Sequence, residues 1–379
     1  MHPGSRRGIV TAALVCGLFL AGCTGEPQPN PFPPAPVTSS TSVPPTVPTP
    51  PSGRAQSTTA SASPPVTPAF GELQATLELF SREMLQNGAP AVLIEARAGQ
   101  EVWRHAAGVR SLHGGAPVQA DDPIRVGGLT RTMVAVSVLK LVEEGRLVLE
   151  DSIAKYLPGI DVLLPPEPES VTVRQLLGHT AGIPYASGLS DYAVLGFLVE
   201  RLRGAPLAAV LRTEILDPLN LHSTMLLDAG PLSNTLVHGY AVVGGETVDV
   251  THSVQQGGPA SDGVIASVTD IDAFYAALLK GRLLLPESLV EMKGSVFADY
   301  GLGLDHWKDT CTNGYYYGHS GDVPGYGTIS ISSADGNRQL TISLAHPPSP
   351  LSTQPSAIAL ELTGLAQVAL NASCRFHFR

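Results

Sequence analysis

Two stretches of this 379-residue chain place a serine three residues before a lysine, Ser137–Lys140 and Ser152–Lys155. On a helix that spacing puts hydroxyl and amine on one face, where an amine can help deprotonate a nucleophilic hydroxyl. Ser137 falls inside the apolar run from Met133 to Val142, and Ser152 falls in the loop beyond it, so both read as chance matches. Gly318-His319-Ser320-Gly321-Asp322 approaches the Gly-x-Ser-x-Gly nucleophile elbow, but Asp322 stands at the last position. It also lies at a strand edge in a hairpin region, whereas the elbow needs a strand-to-helix turn. There is no Cys-x-x-Cys, no His-Glu-x-x-His and no phosphate-cradling glycine loop, and the 11 histidines are scattered. No metal or cofactor is expected.

The elements that would carry these residues follow from hydrophobic period. Residues 71–87 predict a helix closed by Gly88, with Leu73, Leu77, Phe80 and Leu85 near helical spacing. Residues 90–96 and 101–109 predict two strands turning at Ala98-Gly99-Gln100. Residues 129–145 predict a long helix, apolar nearly all round and suited to a buried central position, with Gly145 at its end. Helices then dominate at 172–178, 191–203, 205–215 and 268–280. Strands return at 314–318, 324–332 and 338–346, the last two joined by the turn Ala334-Asp335-Gly336-Asn337. A final helix is expected at 354–370. This order implies an α+β fold, with an antiparallel sheet built from both ends of the chain, flanked by helices, plus an all-helical subdomain.

The N-terminal residues speak of location. Arg6 and Arg7 precede an apolar run over 8–20, and Leu20-Ala21-Gly22-Cys23 follows at once. Residues 1–22 read as a secretory signal. Cys23 resembles the cysteine of the bacterial lipobox, which implies lipidation and a membrane anchor through that thiol. The alternative is an ordinary cleaved signal with a coincidental cysteine. Residues 23–69 read as a disordered tether, because 14 of the 46 residues after Cys23 are proline and 15 are serine or threonine. Such chain extends at about 3.1 Å per residue and reaches on the order of 100 Å. Residues 70–379 form the folded domain. Loss of Arg6 and Arg7 takes the net charge from −10 to −12. An acidic chain without basic clusters argues against nucleic acid as a partner. With Cys16 removed and Cys23 acylated, Cys311 and Cys374 remain. A Cys311–Cys374 disulfide is expected in an oxidising compartment, the alternative being two free thiols.

Eight segments in order resemble the serine β-lactamase and penicillin-binding-protein family, nearest to class C β-lactamases, DD-carboxypeptidases and related esterases. They are Pro123–Gly128, 139–160 (LKLVEEGRLVLEDSIAKYLPGI), 171–184 (VTVRQLLGHTAGIP), 191–204, 215–226, 261–279, 300–304 (YGLGL) and 317–328 (YGHSGDVPGYGT). The resemblance covers essentially all of residues 70–370 and implies the fold named above. It also implies a nucleophilic serine at the start of the central helix, a lysine one turn later, a tyrosine–serine–asparagine loop, and a Lys/His-x-Gly strand. Two backbone N–H groups would make the oxyanion hole.

This chain departs from that pattern at two of the three motifs. With the register fixed by Glu143-Glu144-Gly145, Gly128 stands at the serine position and Arg131 at the lysine position. Glycine has no side chain to attack with, and arginine keeps its proton at physiological pH. The loop after Pro184 is shortened, which puts Ser187 and Leu189 at the tyrosine and asparagine positions, with Tyr185 nearby. His319-Ser320-Gly321 retains the third motif. Gly128 and Asp322 could still present oxyanion N–H groups, and Asp322 adds an acid beside that wall. The expected function is a catalytically silent domain that binds a cell-wall peptide, a small ligand in the vestigial cleft, or a protein partner. The alternative is an active hydrolase with Thr130, Thr132 or Ser320 as nucleophile and His319 as base. A third reading is a closed cleft with only the surface interacting. An exposed Arg131 would anchor a carboxylate, whereas one buried against an acid such as Asp262 would be structural.

Overall fold

The computed structural model describes residues 68–160, 171–183, 189–227, 230–253, 257–351 and 357–372. The signal segment, Cys23, nearly all of the tether, Tyr185, Ser187 and Cys374 lie outside the described residues.

Six strands make the main sheet: β1 (Ala91–Ala98), β2 (Glu101–Gly108), β3 (Asp305–Asp309), β4 (Gly314–Val323), β5 (Tyr326–Ser333) and β6 (Arg338–Ala345), in the order β2-β1-β6-β5-β4-β3. Every pairing is antiparallel, and β1 joins β6 with Ile94 opposite Ile342. Both ends of the chain therefore build one sheet. The turn between β5 and β6 is held by Asp335, whose Oδ1 accepts from Ser333 Oγ and the Asn337 N–H. Gly336 takes the positive φ of 66° that this tight turn requires.

Period-2 alternation gives the sheet two buried faces, and each is covered by helices. Helices α1 (Pro68–Gln86) and α5 (Ala357–Ala372) close one face. There Phe70, Leu77, Leu362 and Leu370 pack on Val92, Ile94, Ile329 and Ile342. The other face meets the helical part of the chain, with the central helix α2 (Leu129–Glu143), α3 (Asp191–Arg203) and α4 (Val268–Leu279). Eleven of the 15 residues of α2 are buried, as its all-round apolar pattern requires.

Local signals set most boundaries. Thr172 and Gln175 form a reciprocal capping box on Val173–Leu177, Ser190 caps α3, and Gly204 ends α3 in the left-handed region. The helix expected over 129–145 stops at Glu143, and Gly145 follows at φ 67°. The helix expected over 205–215 is a short α-helix, Leu207–Leu211, that passes into a π-helical turn, Arg212–Leu216. The strand expected over 314–318 runs on to Val323, because its partner β5 pairs with it from Tyr316 to Val323. Strand β3 and helix Pro286–Lys293 were not foreseen. The first is a short polar edge strand, and the second has too few apolar residues to show a period.

Among the described residues no helix is long and apolar enough to cross a membrane, and no group of three His, Cys, Asp or Glu residues could hold a metal. Cys311 is disulfide-bonded.

Candidate active site

The start of α2 and the end of β4 meet backbone to backbone. Gly127 turns the chain with φ 56°, and Gly128 then takes a near-helical conformation as the residue before α2. A Cβ built on Gly128 would lie 2.7 Å from the Ser320 carbonyl oxygen and 3.0 and 3.2 Å from Cε1 and Nδ1 of His319. A Cβ on Gly321 would lie 1.9 Å from the Val126 carbonyl oxygen, and one on Gly127 would lie 3.0 Å from the Asp322 nitrogen. Three glycines thus let the two backbones touch. The volume a side chain at position 128 would need is filled by strand β4. The amides of Gly128 and Asp322, candidates for an oxyanion hole, border this same contact.

One turn along α2, Arg131 Nη2 donates to Asp262 Oδ1 at 3.1 Å. Its side chain is 28% exposed and that of Asp262 14%. Burial pulls the guanidinium pKa down, but Asp262, Tyr300, Tyr192 and Asp305 more than offset this and hold it above its ordinary value. This permanent cation is therefore an ion-paired residue, packed against an acid from the segment before α4.

His319 is 4% exposed. Its Nδ1 lies 2.6 Å from the Ser320 carbonyl oxygen and must carry the proton, because a carbonyl only accepts. Nε2 is then left to accept from Tyr300 Oη at 3.2 Å. Burial first, and the nearby Arg131 second, push its pKa down to about 3. A neutral ring with both nitrogens engaged is poorly placed to act as a general base. Tyr300 sits between His319 and His179, with ring centroids 5.7 and 5.2 Å away. His179 bonds Asp191 Oδ2 at 2.9 Å, and Tyr192 donates to the Leu177 carbonyl at 3.0 Å. Asp305, accepting from the Ser320 N–H at 3.3 Å, is pushed up to about 6, mainly by burial. Aromatic and polar side chains thus fill the space beside Arg131.

The candidate replacement nucleophiles do not reach this place. Thr130 Oγ1 donates to the Gly127 carbonyl at 2.7 Å and accepts from the Val264 N–H at 3.0 Å. Thr132 Oγ1 donates to the Gly303 carbonyl at 2.7 Å and contacts Tyr275 Oη at 3.0 Å. Both are fully buried and hold loops to the helix start. Ser320 lies opposite Ile329, so strand alternation turns its side chain toward the terminal helices and away from His319. Asp322 shares that face, which corrects its expected place beside the His319 wall. Ser137 is buried within α2, and Lys155 pairs with Asp151 at the surface. Leu189 packs against the helical core. Tyr300, Asp305, His179 and Asp191 were missed by sequence reasoning. The YGLGL segment that begins at Tyr300 was the one signal that could have pointed to it.

A separate cavity of about 380 Å³ lies beside the π-helical turn. Its rim carries Arg212 and His222 beside Asp121 and Asp217.

A six-stranded antiparallel sheet between terminal helices and a helical layer, with a helix start facing a His-x-Gly strand, defines a serine-hydrolase scaffold. The pattern of the β-lactamase family matches residues 78–345, and this chain belongs to that family. Penicillin-binding protein 4* of Bacillus subtilis (strain 168) is 24% identical over 327 residues, 71% of this chain and 70% of that protein. Esterase EstB of Burkholderia gladioli is 28% identical over 205 residues, 42% of this chain and 52% of the esterase. Among solved structures, a D-stereospecific amidohydrolase from Streptomyces sp. matches with a TM-score of 0.61 and 25% identity, over 72% of this chain and 94% of that one. The D-amino acid amidase of Ochrobactrum anthropi SV3 matches in fold with a TM-score of 0.67 and 19% identity, over 80% and 99% of the two chains.

Proposed function

We propose that this chain is a non-hydrolytic member of the β-lactamase family, anchored at the outer face of a membrane by lipid on Cys23, and that it acts by binding. The observation that carries this reading is the filled space at Gly128, where a nucleophile's Cβ would collide with the Ser320 carbonyl oxygen. The Arg131–Asp262 pair and the doubly engaged His319 support it, since neither offers a base. Closure at the helix start favours contact through the outer surface, with a cell-wall peptide or a protein as partner, over a small ligand seated beside Gly128.

The test is covalent labelling of the full chain with a fluorescent penicillin and with a fluorophosphonate, followed by intact mass. No adduct is expected from either. A stoichiometric adduct at any residue refutes the silent reading and restores the hydrolase alternative. For the anchor, cells fed an alkyne fatty acid should label the chain, and Cys23→Ala should abolish the label. Undiminished labelling of that variant would remove the proposed anchor.

A further inference from the structure

The sheet face beneath α4 is polar where a core is usually apolar. Glu95, Thr341 and Ser330 stand directly opposite one another on β1, β6 and β5, and all three are fully buried. Asp272 reaches down to them from α4 and is also fully buried. Its Oδ1 accepts a hydrogen bond from Thr341 Oγ1, which also lies 2.8 Å from Ser330 Oγ. Its backbone carbonyl accepts from Gln339 Nε2 at 3.0 Å.

The two carboxyl groups of this layer are treated differently. Both oxygens of Glu95 are held by cations: Arg104 Nε donates to Oε2 at 2.7 Å and Arg97 Nη2 to Oε1 at 3.3 Å. Asp272 has no cation at hydrogen-bond distance, and its Oδ2 is buried without a partner. A second orphan lies in the same cluster, the Oε1 of Gln339. The orientation of that amide is fixed, because its Nε2 faces the Asp272 carbonyl and Ser332 Oγ, and a carbonyl must meet a donor. A proton on Asp272 Oδ2 would remove the charge from that unsatisfied oxygen and turn it into a donor in a cluster that already holds an unsatisfied acceptor. An ionised Asp272 would add a second buried negative charge beside Glu95 with no cation of its own, an arrangement that is strongly disfavoured.

We propose that Asp272 is a carboxylic acid that keeps its proton in the folded domain at neutral pH, and that losing this proton is a built-in switch that loosens the contact between α4 and the sheet. The charged groups facing it are Glu95, Arg97 and Arg104, while β5 and β6 offer only neutral Ser330, Ser332, Thr341 and Gln339. Burial, and then the Glu95 charge, hold the Asp272 carboxyl well above the usual carboxylate range. The sign follows. The folded chain keeps a proton that the unfolded chain has already released, so stability is greatest in acid and is lost as pH rises through the folded-state value.

Two measurements on the full chain test this. Carbon-13 NMR of aspartate-labelled protein at pH 7.5, where Asp305 has ionised, should show one aspartate carboxyl at the protonated position, absent from Asp272→Asn. Chemical denaturation from pH 6 to 9 should show the wild-type folding constant falling relative to that of Asp272→Asn, by up to tenfold per pH unit below the folded-state pKa and levelling off above it. Asparagine keeps the acceptor for Thr341 and supplies a permanent donor, so the variant should be the more stable protein at pH 9. If all aspartate carboxyls of the wild type are ionised at pH 7.5, the proposal is wrong, and a buried water bridges an ionised Asp272 to Gln339. Parallel pH profiles for the two proteins would overturn it equally, and the NMR result on wild type decides the matter even if the variant does not fold.

Discussion

Placing a serine at Gly128 should damage this protein instead of activating it. In Gly128→Ser the new Cβ would sit 2.7 Å from the Ser320 carbonyl oxygen, whereas ordinary contact begins at 3.4 Å. The obstacle is backbone, paired to β5 from Tyr316 to Val323, so β4 or α2 must move by the difference of 3.4 − 2.7, which is 0.7 Å. Overpacking of this kind costs about 1–3 kcal/mol. Each kcal/mol lowers the melting temperature by roughly 2–4 °C in a domain of some 200 residues, and somewhat less in a larger one. A matched control is Gly364→Ala, on an exposed position of α5 where nothing lies within 4 Å of the added methyl. That change should stabilise by about 0.8–1 kcal/mol through helix propensity. Thermal unfolding of the two variants beside wild type reads the contrast directly. Gly128→Ser with Arg131→Lys should still take no label from a fluorescent penicillin, because His319 remains committed to Ser320 and Tyr300 and Asp262 remains to capture the lysine. A Gly128→Ser protein as stable as wild type, or a labelled double variant, would refute the closed-site argument.

Other outcomes follow from the same cluster. Arg131→Ala strands Asp262 beside the sheet and should destabilise by about 1–3 kcal/mol, below the value for a fully buried pair because Arg131 is partly exposed. Adding Asp262→Asn should recover part of that loss in a denaturation cycle, and strictly additive losses would show the two residues uncoupled. His319 has a folded-state pKa of about 3, far below its unfolded value near 6.5, so the unfolded chain takes a proton that the folded ring refuses. Its contribution therefore erodes stability as pH falls from 6.5 toward 3, and His319→Gln should flatten that acid limb in urea titrations at pH 4–7. Cys311 is disulfide-bonded, and its expected partner Cys374 would close a long C-terminal loop. Cys311→Ser should lower stability by about 2–4 kcal/mol, and a reductant should do the same to wild type only.

Much of this molecule was legible as local pattern. The apolar circumference of residues 129–143, the period-2 runs at 91–98 and 338–345, and the Asp335-Gly336 turn each encode their own element, because backbone period and turn chemistry act over a few residues. The placing of Gly128 and Arg131 at the start of the central helix was legible too, from their distance to Glu143-Glu144-Gly145. The partners were not. Arg131 meets Asp262 across 131 positions, and Thr132 meets Gly303 across 171. No periodicity records such pairings. Asp262 could be named in advance only as one acid among others.

What the sequence determined by itself is the β-lactamase family's architecture, with Gly128 at the start of the central helix. What only the tertiary structure decided is that the space beside Gly128 is filled. A glycine in sequence is compatible with an open cleft or a closed one. The outcome depends on whether β4 advances until its carbonyl and the His319 ring occupy the space a side chain would have held, and close packing of two distant backbones decided that here.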